Sequence, residues 1–322
     1  PQMLRDSASA RNPDALLDPE AKWTTLRAFI RWCASRYSEA GLFFGHGTDN
    51  ALDEALALVL HALHLSHDLP ESYLQSAVTA DERLEIIELF SRRIDERIPA
   101  AYLTRKAWFC GMELYVNEHV LVPRSPIAEL VESGFIPWVD PDGVEAVLDL
   151  CTGSGCIALG CAHAFPDARV DAVDISPEAL EVARRNVEQH RLQDRVDVIE
   201  SDLFGALEGR SYDLIVSNPP YVGEEELRGL PPEYWREPAI GLAAGEEGLD
   251  VVTRILRQSS RFLSRDGIIV VEVGSAADAL TARYPEVPFL WLDFERGGEG
   301  VFLLTADQLD EYQAIFDEGD DQ

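Results

Sequence analysis

From Val144 onward, short apolar runs alternate with stretches of helical periodicity, and few folds accommodate that rhythm. The runs fall at 146–150, 170–173, 196–199, 214–216, 268–273, 289–292 and 301–304. Helical spacing occupies about 155–165, 177–190, 249–264 and 276–283. Short apolar runs of this length read as strands. Separated by helices, such strands build a doubly wound α/β sheet, because right-handed crossovers place the helices on its two faces. The pattern predicts seven strands in one sheet. The last two runs have only a short connection, which predicts an antiparallel strand at the sheet edge. The acidic tail after Asp307 is expected to fray.

The chain before this segment reads differently. Leu26, Phe29, Ile30 and Cys33 fall at helical spacing. So do Leu52, Leu56, Val59, Leu60 and Leu63, and then Leu84, Ile87 and Ile94. Asp49 or Asn50 can cap the second helix, with Asp53 and Glu54 in its first turn. Residues 1–20 read as a loose polar lead-in. Pro99 ends the helical run, and aromatic and β-favouring residues then flank Gly111. We expect a helical domain over 1–96, a β-hairpin linker over 97–126 and the α/β domain over 127–322.

Composition narrows the function. No run of about 18 apolar residues is present, so no membrane span or membrane partner is expected. The N-terminus lacks an apolar signal region, which makes the cytoplasm the expected address. The five cysteines form no C-x-x-C pair and are expected to be reduced. His61, His64 and His67 recur every third residue without a Cys or carboxylate cluster beside them. A helix end with partly exposed imidazoles fits them better than a metal site. The net charge is −31, from 58 acidic and 27 basic residues. Such a surface repels nucleic-acid phosphates and attracts basic partners, although adaptation of a whole proteome to salt would look the same.

The first strand of the sheet runs into Asp149-Leu150-Cys151-Thr152-Gly153-Ser154-Gly155 and then a helix. Glycines let a ligand approach the backbone, and a helix N-terminus offers free N–H groups. The spacing is not a phosphate-binding Walker loop, and Cys151 occupies the first glycine place of the dinucleotide pattern. A tight strand-to-helix turn alone could account for the loop. Asp174 closes the second strand about 20 residues later, where a carboxylate can accept both hydroxyls of a ribose, with Ile175 beside it. Ser176 is left to cap the following helix. Asp202 and Leu203 close the third strand and can meet an adenine amino group and ring. The fourth strand ends in Asn218-Pro219-Pro220-Tyr221. Two prolines freeze the backbone and remove two N–H donors, leaving carbonyls and the Asn218 side-chain oxygen as fixed acceptors. A planar group with two N–H bonds is the natural guest, with Tyr221 against its flat face.

These motifs resemble the class I methyltransferases acting on planar nitrogen, and Asp149–Gly155, Asp174, Asp202 and Asn218–Tyr221 carry the resemblance. It sharpens at Arg97-Ile98-Pro99-Ala100-Ala101-Tyr102-Leu103 and Val122-Pro123-Arg124, which look like the glutamine N5-methyltransferases of the HemK-like group. Gly45-His46-Gly47-Thr48-Asp49-Asn50-Ala51, the run from Pro123 to Leu130, and Gly297-Gly298-Glu299-Gly300-Val301-Phe302 look like its ribosomal-protein (PrmB) branch. The resemblance covers about residues 23–305. It implies a Rossmann-like seven-stranded fold, S-adenosyl-L-methionine as cofactor, no metal, and a glutamine side chain of a basic large-subunit ribosomal protein as substrate. It also implies Asn218, Pro219, Pro220 and Tyr221 as catalytic residues. The cofactor would lie against Asp149, Cys151–Gly155, Asp174, Ile175, Asp202, Leu203 and Asn218. A peptide release factor is the alternative protein substrate. An adenine N6-methyltransferase shares the Asn-Pro-Pro-Tyr type of motif, but it needs a basic groove and this sequence has no Lys/Arg cluster for one. A vestigial binding module is disfavoured by the intact loop and acidic residues.

Overall fold

The computed structural model describes residues 25–318, so the lead-in expected over 1–20 lies outside the described residues. The chain divides into two compact units, Pro1–Thr104 and Arg105–Gln322. No described helix is long and apolar enough to cross a membrane.

The first unit holds helices α1 (Leu26–Glu39), α2 (Ala51–Ala62), α3 (Ala80–Asp95) and α4 (Ala100–Thr104). Each long helix starts where a side-chain oxygen satisfies its free N–H groups. Thr25 accepts from Ala28 N, and Asn50 from Leu52 N and Asp53 N. Thr79 forms a reciprocal capping box with Glu82. The buried faces differ from the expected ones at two points: Leu52 and Leu84 are exposed. The core face of α2 instead carries Glu54, and that of α3 carries Arg93, both without exposed surface. Arg93 Nε donates to Glu54 Oε1 at 2.6 Å. A buried ion pair thus sits among the apolar residues of the core face, Ala55 and Leu58 of α2 and Ile86 and Phe90 of α3. His61 lies in the last turn of α2 with His64 and His67 exposed beyond it, the helix-end arrangement expected.

The second unit opens with a hairpin of β1 (Lys106–Phe109) and β2 (Met112–Tyr115). Its turn residues Cys110 and Gly111 both have positive φ, 47° and 73°, the requirement of a type I′ turn. Helix α5 (Ile127–Glu132) follows. The sheet contains β3 (Ala146–Leu150), β4 (Arg169–Asp174), β5 (Val196–Glu200), β6 (Tyr212–Ser217), β7 (Leu263–Glu272), β8 (Leu290–Trp291) and β9 (Val301–Thr305). Between them run α6 (Cys156–Ala164), α7 (Pro177–Gln189), α8 (Glu224–Gly229), α9 (Asp250–Ser259) and α10 (Ala277–Arg283), and α11 (Ala306–Glu311) and α12 (Gln313–Asp317) follow β9. The strand order is β5-β4-β3-β6-β7-β9-β8, so the seven expected strands form one mostly parallel sheet.

Three details correct the sequence reading. The antiparallel strand, β9, lies one place inside the edge, between β7 and the two-residue β8. Val301 through Leu304 are buried, which suits an interior strand, whereas Leu290 of β8 is 39% exposed. Helix α9 stops at Ser259 because β7 already begins at Leu263. Of the tail expected to fray after Asp307, the part up to Glu318 packs down instead, with Leu309 and Phe316 fully buried and Thr305 capping α11, while 319–322 lie outside the described residues.

One face of the sheet is covered by Ile127 and Val131 of α5, Ile157 and Leu159 of α6, and Val187 of α7. The other is covered by Val252, Ile255 and Leu256 of α9, Leu280 of α10, Leu309 and Phe316. The hairpin is fastened to the first of these faces through Asn186 of α7, which is fully buried. Its Oδ1 accepts from Tyr115 N at 2.7 Å, and its Nδ2 donates to Tyr115 O and to Ser154 O at 2.9 and 2.8 Å. One side chain therefore ties the hairpin to the loop after β3.

Candidate active site

Strands β4 and β6 flank β3 on opposite sides, so the crossovers reverse direction there and open a crevice at the carboxyl ends. Ser217 Oγ donates to Leu150 O at 2.8 Å and holds β6 against β3 at that point. A cavity of ≈ 550 Å³ lies in the crevice, within the range of cofactor sites.

The loop after β3 forms its floor. Cys151, Gly153 and Gly155 have φ of 59°, 53° and 82°. A Cβ on Gly153 would meet nothing within 4 Å, so a ligand can reach that backbone. Gly155 serves packing instead: its Cβ would meet Leu159 at 3.1 Å and Ala183 at 3.4 Å. Cys151 lines the cavity in a left-handed conformation that glycine adopts more readily. Burial first, and then Asp174 and Asp149, push its thiol far above the ordinary range, so it is an inert thiol.

Asp149 stands behind the loop, outside the cavity lining and with no exposed surface. Its Oδ2 accepts from Thr152 Oγ1 at 2.5 Å and from Ala158 N at 3.0 Å, which caps α6 from the preceding strand. Burial raises its carboxyl from 3.8 to about 7. Asp174 lines the cavity and ties two segments together. Its Oδ2 accepts from Gly153 N at 2.9 Å and its Oδ1 from Ser176 N at 3.0 Å. Burial raises the Asp174 carboxyl. Ser176 caps α7, as expected, by accepting from Ala179 N. Ile175 presents a half-exposed apolar side chain to the cavity, and Leu203 lines it in a left-handed conformation, φ 50°. Asp202 lies at the mouth, where Arg254 of α9 donates to its Oδ2 at 2.7 Å.

Beyond β6, Asn218, Pro220 and Tyr221 line the cavity, while Pro219 is buried behind them. Asn218 Oδ1 is buried and has no hydrogen-bond partner in the protein. A buried acceptor left unpaired costs about 1–3 kcal/mol, so Asn218 Oδ1 has an open capacity for a donor entering the cavity. Sequence reasoning missed the groups around this turn. Tyr221 donates to Glu272 Oε1 at 3.1 Å, and Ser125 Oγ donates to Glu272 Oε2 at 2.5 Å. Arg124 donates to both oxygens of Glu237 at 2.6 and 2.8 Å. The available signal was Glu272, a lone carboxylate closing the apolar run Ile268-Ile269-Val270-Val271.

The residues fit a cofactor with a ribose and a flat aromatic ring: an accessible glycine loop, a carboxylate beside it and the apolar side chain of Ile175 alongside. Residues 135–229 match the methyltransferase small domain family. The crevice therefore belongs to an S-adenosylmethionine-dependent methyltransferase. Over 287 residues the chain is 50% identical to the ribosomal protein uL3 glutamine methyltransferase of Neisseria gonorrhoeae, covering 89% of this chain and 96% of that one. Over 293 residues it is 46% identical to the protein of the same name from Francisella tularensis, covering 91% and 93%. The chain belongs to the family of ribosomal protein uL3 glutamine methyltransferases. Among solved structures, the hMettl16 catalytic domain in complex with a MAT2A 3'UTR hairpin aligns at 18% identity and a TM-score of 0.48, over 70% of this chain and 80% of that one.

Proposed function

We propose that this protein methylates the side-chain amide nitrogen of a glutamine in the large-subunit ribosomal protein uL3, with Asn218, Pro219, Pro220 and Tyr221 forming the amide site. The observation that carries the assignment is the buried, unpartnered Asn218 Oδ1 beside a cofactor-sized cavity. When bound, S-adenosylmethionine supplies an activated methyl group. The rest is positioning by this chain, because an amide lone pair is delocalised into its carbonyl and attacks poorly unless aimed. Asn218 Oδ1 accepts one amide N–H and the Pro219 carbonyl accepts the other. Both acceptors stabilise positive charge growing on nitrogen, and once the methyl group is on nitrogen one of the two N–H protons, now acidic, passes to water. No strong base is required beforehand. Gly153, Asp174, Ile175, Asp202 and Leu203 hold the cofactor, and Asp149 and Gly155 keep the loop in shape.

The net charge of −31 suits a basic ribosomal protein and opposes nucleic-acid phosphates. The relatives' names favour uL3 over a release factor. We assign protein recognition to the helical unit and the work to the cytoplasm, where ribosomal proteins are made. The test is to incubate the enzyme and labelled cofactor with unmethylated large-subunit particles and separate protein from RNA. Label in one protein supports the reading; label in RNA refutes it.

A further inference from the structure

The carboxylate of Glu272 lies at the carboxyl end of β7 on the cavity wall, 5% exposed. Isolated carboxylates are costly to bury, and this one has two hydroxyl donors, Tyr221 and Ser125. The Tyr221 ring is limited from other sides too. Gly274 has φ +44°, and a Cβ there would lie 2.6 Å from Tyr221 Cε2. A Cβ on Gly248 would lie 2.1 Å from the Tyr221 carbonyl oxygen. The phenol is held at its hydroxyl, and Gly274 and Gly248 pass so close to its ring edge and its carbonyl that any side chain there would displace it. Burial, and then the Glu272 carboxylate, push the phenol far above its ordinary range, so it stays a donor.

We infer that Glu272 is a positioning residue for methyl transfer: through its hydrogen bond to Tyr221, it sets the ring in the orientation that closes over the glutamine amide held by Asn218. Ser125 fixes the other carboxylate oxygen, so the Pro123–Pro126 segment joins the same clamp through the hydrogen bond of Ser125. The inference rests on the amide-site reading above. A merely structural link between Ser125 and β7 would need Glu272 but not its bond to Tyr221, and the two differ in their kinetics.

The experiment compares Glu272→Leu, Glu272→Gln, Tyr221→Phe and the Leu/Phe double variant, with kcat and KM for the protein substrate and cofactor affinity measured separately. Glu272→Leu should lower kcat about 10-fold with little change in KM or cofactor affinity, the loss expected from one positioning hydrogen bond. Glu272→Gln, which keeps an acceptor for Tyr221 and offers a donor to Ser125, should recover most of the rate. In the Tyr221→Phe background, Glu272→Leu should cost little more. Equal losses in both backgrounds, or a Gln variant as slow as Leu, would overturn the inference. If the Leu variant does not fold, Tyr221→Phe decides: it removes the same bond and keeps the ring, and an unchanged kcat refutes the clamp. If the wild-type enzyme methylates no glutamine, the amide-site reading fails. The clamp is then judged from crystal structures of the variants, where an unmoved Tyr221 or Phe ring refutes it.

Discussion

Replacing Asn218 with alanine separates stability from catalysis. Its Oδ1 is buried without a partner, a state that costs about 1–3 kcal/mol. Alanine removes that cost and loses some packing, so the two effects oppose each other and the net stability change should be near zero. At about 2–4 °C per kcal/mol for a unit of this size, the melting temperature should move by no more than a few degrees. The rate should respond differently. Losing one preorganised electrostatic partner costs about 100-fold or more in the chemical step, equivalent to about 2.7 kcal/mol. Cofactor affinity should fall far less, because the loop and Asp174 lie on other strands. Single-turnover transfer of a labelled methyl group, calorimetric cofactor titration and thermal denaturation supply the three numbers. Asn218→Asp, which keeps the size but sets a negative charge beside the methyl donor, should also fail in the chemical step. Near-normal turnover by Asn218→Ala on a glutamine-containing substrate would refute the positioning mechanism. So would a rate loss matched by an equal loss of cofactor affinity.

Asp174→Ala should weaken cofactor binding by about 2 kcal/mol or more, because a charged acceptor and the tether on Gly153 N disappear together; unchanged affinity by calorimetry removes Asp174 from the site. Asp149 has a folded pKa of about 7 against an ordinary 3.8, so the folded state binds its proton more tightly than the unfolded chain. Its contribution to stability is full below the unfolded value and is lost as pH rises through the folded one, so Asp149→Asn should gain on the wild type across that window, by up to about 4 kcal/mol. Denaturation of both proteins at about pH 5 and about pH 8 checks the sign, and a constant difference contradicts it. Removing 1–104 should leave a folded unit that binds cofactor but no longer methylates the intact protein substrate; full activity of the shortened enzyme on that substrate refutes a recognition role for the helical unit.

The seven strands were legible because short apolar runs alternate with helical spacing, and the runs of β3, β6 and β7, buried on both faces, are nearly continuous. Their order was not, since β9 inserts between β7 and β8 through contacts that no local pattern records. In the helical unit, spacing located the helices but pointed Leu52 and Leu84 inward; the buried faces are instead Ala55, Leu58 and Val59 of α2 and Ile86 and Phe90 of α3, with the Glu54–Arg93 ion pair among them. Phe316 anchors a tail that composition alone describes as acidic. The site divides in the same way. Gly153 and the prolines of the Asn218 turn were visible because backbone requirements appear directly as residue types. Glu272, Glu237 and Arg254 were not, because their partners Ser125, Arg124 and Asp202 lie 147, 113 and 52 residues away in sequence.

Methylation of an amide nitrogen has a chemical signature that tests the central claim most directly. Acid hydrolysis cleaves the side-chain amide and carries the new methyl group away on its nitrogen. The protein uL3, labelled by this enzyme from S-adenosylmethionine, should release its label as methylamine that turns volatile when the hydrolysate is made alkaline, and peptide mapping should place one methyl group on one glutamine. Label that stays on a non-volatile amino acid after hydrolysis, or uL3 that remains unlabelled while another molecule takes the methyl group, would contradict the account.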